Sequence, residues 1–409
     1  LYLAFFFMPI GINLPSPFFV GAMVFGLALI PRQRKEFIFE PYLLLFPLYF
    51  ILLCIGLLYT ENLKDGLNLV QRSLSLLFFP MIFMFVKEDS ASVSKLFQFL
   101  LAGLLTSFFF NFLMATNALA TSLPSATFNE GFLAIIEWIN THWTRFYMGG
   151  AFSKAVNPNY ISIYLLLVLS YYLKNKLISF NRLLVILILF TYVFLLGSIS
   201  AYVVLALISI RFILDVREKQ KKYLGVMLFI LGALVFIKSP GISISYKFLK
   251  NYHAQGIQKT TPEKAKLLSW ATALGLITDE PILGYGTGDA NDVLAEEYLR
   301  LNYQFNHENR YNAHNQFLQT YLQTGIFGFT ILVGIFIVLT LRLKGSRSEF
   351  SIFLILFVYL LVESMLVRFN GIAFFSIVVP LLLKKRSILG AKVIRNTERV
   401  ILLRPDEER

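Results

Sequence analysis

The sequence predicts an all-α integral membrane protein: one polytopic domain of about twelve transmembrane helices, with a long, partly helical loop on one side. Three observations carry this. Of 409 residues 57% are hydrophobic and 15% charged, and the mean hydropathy is +0.67, well away from the soluble average. The apolar residues fall in about twelve runs, most near the roughly 20 residues needed to cross a hydrocarbon core as helix. The basic residues gather on alternate connections, which is the charge pattern of a membrane topology.

In chain order the runs lie near 1–12, 17–31, 40–60, 66–86, 95–115, 158–173, 182–197, 199–214, 223–238, 322–342, 350–366 and 371–384. Basic clusters fall at RQRK (32–35), Lys87 with Lys95, Lys174 and Lys176 with Arg182, residues 211–222, RLKGSR (342–347) and the tail from Lys384. These hold 24 of the 37 Lys and Arg residues, all on one side of a twelve-span topology. That side is expected to be the cytoplasm, with both termini on it. The organisation expected is therefore nine spans over 1–238 with an outer loop at 116–157, a long outer loop at 239–321, three spans over 322–384 and a cytoplasmic tail at 385–409. The 14 prolines and 24 glycines are spread along the chain, unlike a linker-rich sequence. The first apolar stretch lacks a basic leader, so no cleavable signal peptide is expected. The single cysteine, Cys54, lies in an apolar run and excludes an intrachain disulfide or a thiolate metal cluster.

The second outer loop reads as folded. TPEKAKLLSWATALGLITDEP and ANDVLAEEYLRL carry Trp, Leu and Ile at helical spacing. Thr261 before Pro262 is a plausible helix start, and Pro281 ends the same helix. ILGYGTGD lies between the two helices. All four histidines, His142, His253, His307 and His314, fall in the two outer segments, so acid–base chemistry near neutral pH is expected on that face.

The stretch YNAHNQFLQTYLQTG, 311–325, is polar directly ahead of an apolar run. If 314–325 is helical, His314, Leu318 and Gly325 lie within about 40° of one another around the axis, with Tyr321 close by. The glycine then permits close approach of another helix, and the histidine stands at the water boundary. A histidine at a helix end is more often an interfacial residue than a catalyst, and both readings stand on this stretch alone.

The pattern His314-Asn315-x-x-Leu318 followed by Gly325 resembles the signature of the O-antigen ligase and O-antigen polymerase superfamily of bacterial membrane glycosyltransferases. FSKAVNPNYISIYLLL is similar to that family's His-Pro-Asn segment, with Asn157 in place of His before Pro158 and Asn159. KLLSWATALGLITDEPILGYGTGD resembles its loop segment, with Trp270, Pro281, Gly284 and Gly286 in place. YTENLKDGLNLVQRSLSLLFFP and VESMLVRFNGIAFF also read like members, so the likeness spans about 55–384. Two positions depart. The basic residue four before the loop tryptophan is Lys266, which lacks the bidentate fork of arginine, and a helix arginine of the family is replaced by Ile199.

The resemblance implies a GT-C-like fold in the bacterial inner (plasma) membrane with its active site facing the periplasm. It implies transfer of a glycan from an undecaprenyl diphosphate carrier to an acceptor sugar, with O-antigen to lipid A core as the leading case. O-antigen polymerase and protein O-glycan ligase are alternatives with the same donor. Such a site must stabilise the departing diphosphate and take a proton from the incoming hydroxyl. His314 is the candidate general base. Lys266, Arg72, Arg368 and Arg145 are candidates for the diphosphate, against the plainer reading of solvated or snorkelling cations. Glu363 is read as orienting His314, pairing with Arg368 or snorkelling, with the Arg368 pair favoured. Asn315 and Gln316 either bind sugar hydroxyls or cap the helix, and Trp270, Tyr321 and Gly325 support the site. Asp279, Asp289 and Asp292 show no chelating pattern, so no metal and no cofactor are expected. The net charge of +13 is scattered over short loops that meet lipid headgroups, which argues against nucleic acid. A polysaccharide or lipid exporter is the rival from another class. Exporters often show internal repeats with polar groups at the midplane, whereas no repeat is obvious here and the polar groups gather at one face.

Overall fold

The computed structural model describes residues 1–34, 37–86, 90–174, 182–215, 219–237, 262–343 and 347–383. Among these every regular element is helical. In order they are α1 (Tyr2–Phe7), α2 (Ser16–Leu29), α3 (Leu45–Ile55), α4 (Leu63–Phe85), α5 (Ser90–Thr121), α6 (Ser125–Asn129), α7 (Phe132–His142), α8 (Thr144–Tyr147), α9 (Gly149–Phe152), α10 (Pro158–Lys174), α11 (Arg182–Leu196), α12 (Ile199–Asp215) and α13 (Lys219–Ile237). The segment 262–308 supplies α14 (Pro262–Asp279), α15 (Ala290–Arg300) and α16 (Gln304–Glu308), and the chain continues with α17 (Gln316–Leu343), α18 (Arg347–Val362) and α19 (Phe369–Leu383). The Thr261 cap, His253, Lys87 and the tail from Lys384 lie outside the described residues.

Among the described residues four stretches are long and apolar enough to cross a membrane: Pro41–Leu58, Leu63–Phe85, Ser92–Thr121 and Gln316–Leu343. Seven shorter apolar helices accompany them. The run 1–12 differs most from expectation. Only six residues of it are helical, because Pro9 lacks the N–H that a continuing helix needs and Gly11 follows. Residues 116–157, expected as an outer loop, comprise the end of α5 followed by the four short helices α6 to α9.

One apolar core joins α1 to α5, α10 to α12 and α17 to α19. A smaller core lies between α14 and α15, where Ala273, Leu276, Ala290, Leu294 and Tyr298 close on Ala313 and on Leu322 of α17. The amphipathic pattern of the outer helices thus buries one face against its neighbours.

The unit formed by α14 to α16 is locked to the bundle by the segment 281–289. Gly284, at φ +69°, lies so close to the carbonyls of Tyr321 and Leu322 that a Cβ would stand 2.7 and 2.6 Å from them. Tyr285 N–H donates to the Leu322 carbonyl (2.7 Å), and Ile326 N–H donates to the Ile282 carbonyl (3.2 Å). The break that admits this loop is Gly325, with φ +61° and ψ −155° inside α17. The sequence pattern predicts that Gly325 receives another helix; the structure shows a loop there instead. On the other side Thr287 Oγ1 donates to the Leu53 carbonyl (2.7 Å). The Asp289 carboxylate accepts the backbone N–H groups of Glu61 (2.8 Å) and Asn62 (2.7 Å), and Tyr59 donates to the Leu283 carbonyl (2.9 Å). The YTEN and GYGTGD motifs are therefore two halves of one joint.

A Cβ at Gly325 would sit 2.0 Å from the Ile282 carbonyl oxygen. Gly325→Ala is expected to cost about 1–3 kcal/mol in overpacking and about 1–2 kcal/mol for a left-handed residue with a Cβ. Gly275→Ala, in an exposed turn of α14 with nothing within 4 Å of the added carbon, is expected to gain about 0.5–1 kcal/mol. Thermal unfolding of the detergent-solubilised variants checks both signs.

Candidate active site

The polar stretch before α17 is a turn whose backbone is satisfied by side chains. Asn315 Oδ1 accepts N–H from Phe317 (2.9 Å) and Leu318 (3.2 Å), so Asn315 caps the helix. Asn312 Oδ1 accepts the His314 N–H (2.9 Å), and Gln319 Oε1 accepts the Ala313 N–H (3.0 Å). Gln316, fully buried, takes the Leu366 N–H at 2.6 Å and donates to Thr320. The asparagines and glutamines are present because irregular backbone at this depth needs local partners. Helix α17 begins two residues after His314, so the shared helical stripe expected for His314 does not exist. His314 instead takes a left-handed conformation, φ +46°, uncommon for a residue with a Cβ although histidine is among those enriched there.

That turn aims the imidazole at Glu363. His314 Nδ1 lies 3.4 Å from Glu363 Oε1, with side chains 15% and 10% exposed. Lys266 Nζ approaches the other carboxylate oxygen at 3.4 Å and donates to the Val362 carbonyl at 3.3 Å. Asn159 Nδ2 also donates to Oε2 (3.0 Å), and its own carbonyl accepts from Ser198 Oγ (3.0 Å). The favoured Glu363–Arg368 pair is therefore not formed: Arg368 is exposed, and Glu363 turns to His314 and Lys266. The expected spacing Lys266-x-x-x-Trp270 now has a reason. One helical turn apart, the two residues reach the same place, Lys266 to the carboxylate and Trp270 Nε1 to the His314 carbonyl (3.1 Å). Tyr311 packs edge-on against the imidazole, ring centres 4.8 Å apart.

Next to this cluster is a cavity of about 490 Å³. Its wall includes Arg72, Arg310, Arg368, Asn157 and Asn312. His314 stands behind Asn312 and does not itself line the cavity. Arg310 pairs with Asp292 (3.1 Å), whereas among the described residues no carboxylate pairs with Arg72 or Arg368. Four helix N-termini reach the wall: Ser16 opens α2, Asn157 directly precedes α10, Asn291 lies in the first turn of α15 and Phe369 opens α19. Their N-terminal dipole ends add positive potential to the arginines. Helices beginning at this end finish among basic residues: α2 before Arg32 and Arg34, α10 at Lys174, α17 with Arg342 near its end. The cavity therefore lies at the end of the bundle away from those clusters.

The remaining candidates are placed apart. Arg145 lies exposed on α8 and is not part of the wall. Tyr321 packs on Phe329, ring centres 5.3 Å apart, and with Gly325 belongs to the loop joint rather than to the histidine. Arg310 was not singled out by sequence reasoning, although a basic residue four before His314 was a visible signal. Among the described residues no three His, Cys, Asp or Glu side chains are grouped to hold a metal ion.

Residues 183–333 match the family model described as O-antigen ligase. The matched span runs from α11 into α17 and contains Lys266, Trp270, His314, Asn315, Tyr321 and Gly325, while Arg72, Arg145, Glu363 and Arg368 lie outside it. No curated protein matches the chain as a relative. The His314 turn lies inside the matched segment, so residues 183–333 carry an O-antigen ligase domain, and the likeness to the O-antigen ligase superfamily, of ligase and polymerase type, rests on that part of the chain.

Proposed function

We propose that the protein is a multi-pass enzyme of the bacterial inner membrane that transfers a glycan from an undecaprenyl diphosphate carrier to an acceptor sugar on the periplasmic side, with O-antigen to lipid A core as its reaction. The observation that carries this is the pairing of a buried His314–Glu363 contact with a cavity whose wall holds helix N-termini and, besides the Asp292-paired Arg310, two arginines, Arg72 and Arg368, with no carboxylate partner among the described residues. Twelve crossings, with 239–321 as a periplasmic segment, follow from the positive-inside pattern, which puts the cavity opposite the basic clusters. The same donor chemistry serves a polymerase, and only the acceptor separates the two.

In this reading Arg72 and Arg368 receive the diphosphate, supported by the starts of α10 and α19. Lys266 acts nearby through Glu363, and Arg145 stands outside the cavity. The glycosidic bond to the diphosphate breaks, the acceptor oxygen joins the sugar carbon, and the hydroxyl proton passes to His314. Fixed cations stabilise the charge that grows on the leaving diphosphate without a metal ion. Asn157, in the position where the family carries histidine, offers an amide to the cavity.

His314→Ala is expected to lower transfer by about 10²- to 10⁴-fold. The check is complementation of a host lacking the gene, read as a glycan profile on a gel. Loss of lipopolysaccharide-attached chains with long lipid-linked chains retained means ligase; loss of chain length means polymerase; a variant as active as wild type overturns the proposal. Arg72→Ala and Arg368→Ala are each expected to lower turnover by about 10²-fold while Arg145→Ala stays near wild type, compared in the same assay at matched protein levels. EDTA is expected to leave the purified enzyme active; abolition by EDTA with rescue by Mg²⁺ would refute metal independence.

A further inference from the structure

We propose that Glu363 is a positioning residue that holds His314 in the Nδ1–H tautomer, with Lys266 and Asn159 as its own clamps, so that Nε2 is the proton-accepting nitrogen. The inference rests on the proposed function only for the source of that proton.

The geometry runs through four elements. Glu363 follows the last turn of α18 and is buried. Its Oε1 faces His314 Nδ1 at 3.4 Å, and its Oε2 is held by Lys266 of α14 at 3.4 Å and Asn159 of α10 at 3.0 Å. A carboxylate only accepts hydrogen bonds, so the ring nitrogen facing it carries the proton in the neutral imidazole. Both ring nitrogens of His314 are buried and neither makes a regular hydrogen bond; Nδ1 has the 3.4 Å charge contact with Glu363 Oε1, whereas Nε2 has no protein partner. An imidazole anchored at one nitrogen and free at the other is the arrangement that a general base needs. The other charged or titratable groups around the cluster are Lys266, Tyr311, and Tyr160, which lies in the field of Glu363 and Arg368.

Lys266 also takes on a meaning that its family position alone does not suggest. Its ammonium is spent on Glu363 and the Val362 carbonyl, so it keeps Glu363 ionised and oriented while the ammonium itself stands off the cavity wall. A lysine suffices for a single carboxylate oxygen and a carbonyl, where a bidentate diphosphate contact would favour arginine.

The test needs no substrate. The chain contains four histidines, so histidine-selective ¹⁵N labelling of the full-length protein in detergent micelles gives few resonances, and His314→Ala assigns the one of interest. The neutral wild-type imidazole is expected to show Nδ1 as the protonated nitrogen and Nε2 as the unprotonated one, the reverse of the preference of a free histidine side chain. Glu363→Ala is expected to lose this preference, while Lys266→Met, which leaves the carboxylate in place, keeps it. Unchanged resonances of the other three histidines report that the variants are folded. Nε2–H in the wild type, or Nδ1–H persisting in a folded Glu363→Ala protein, overturns the proposal. If the tautomer is as stated yet His314→Ala retains full glycan transfer, the proposed function fails and the positioning role stands.

Discussion

The arrangement depends on one contact between backbones. The loop 281–289 enters α17 at Gly325, where the helix gives up its regular hydrogen bonds and receives Ile282, Leu283 and Gly284 in their place. A Cβ fits at neither Gly284 nor Gly325. A loop this close to a helix also brings its flanking helices into fixed register, so α14 is set against the start of α17 and Lys266 and Trp270 reach Glu363 and the His314 carbonyl. The position of the imidazole is thus decided by two glycines some distance away, and by the Asp289 carboxylate that pins the far end of the loop to the start of α4.

Charge is distributed in two different ways across the site. Around Glu363 the charge is matched: a cation, an amide and an imidazole meet one carboxylate whose burial would otherwise be costly. At the cavity wall the balance is left open, because among the described residues Arg72 and Arg368 have no acidic partner and the helix ends add to their field. A neutralised cluster is suited to holding a base in one orientation, and an uncompensated wall is suited to drawing in an anion. Placing both at the same end of the bundle, beyond the apolar core, is the chemical content of the fold.

Much of this was legible in the chain. Apolar runs marked the long helices because a hydrocarbon core imposes a length, and the outer helices α14 and α15 showed their buried faces in the spacing of Trp, Leu and Ile. The turn at His314 was not legible in the same way. Helical periodicity extends smoothly back through 314, and only Asn315, a strong capping residue followed by two N–H groups to satisfy, hinted that the helix begins later. Glu363 was assigned to the nearer Arg368 because proximity along the chain was the sole guide, whereas His314 and Lys266 reach it only after α14, α17 and α18 have packed. Arg310 went unnoticed because it precedes the recognisable pattern, and its place in the cavity follows from how the outer unit is seated.

The joint between Tyr59–Asn62 and 283–289 closes a loop of more than two hundred residues. Contacts so distant along the chain are the slowest to form, since the entropy of closure is lost before any bond compensates it. A nascent polypeptide emerging from the ribosome carries its first half of the joint long before the second exists. The histidine cluster is consequently completed late in biosynthesis, and a chain arrested after α13 holds neither His314 nor the loop that seats it.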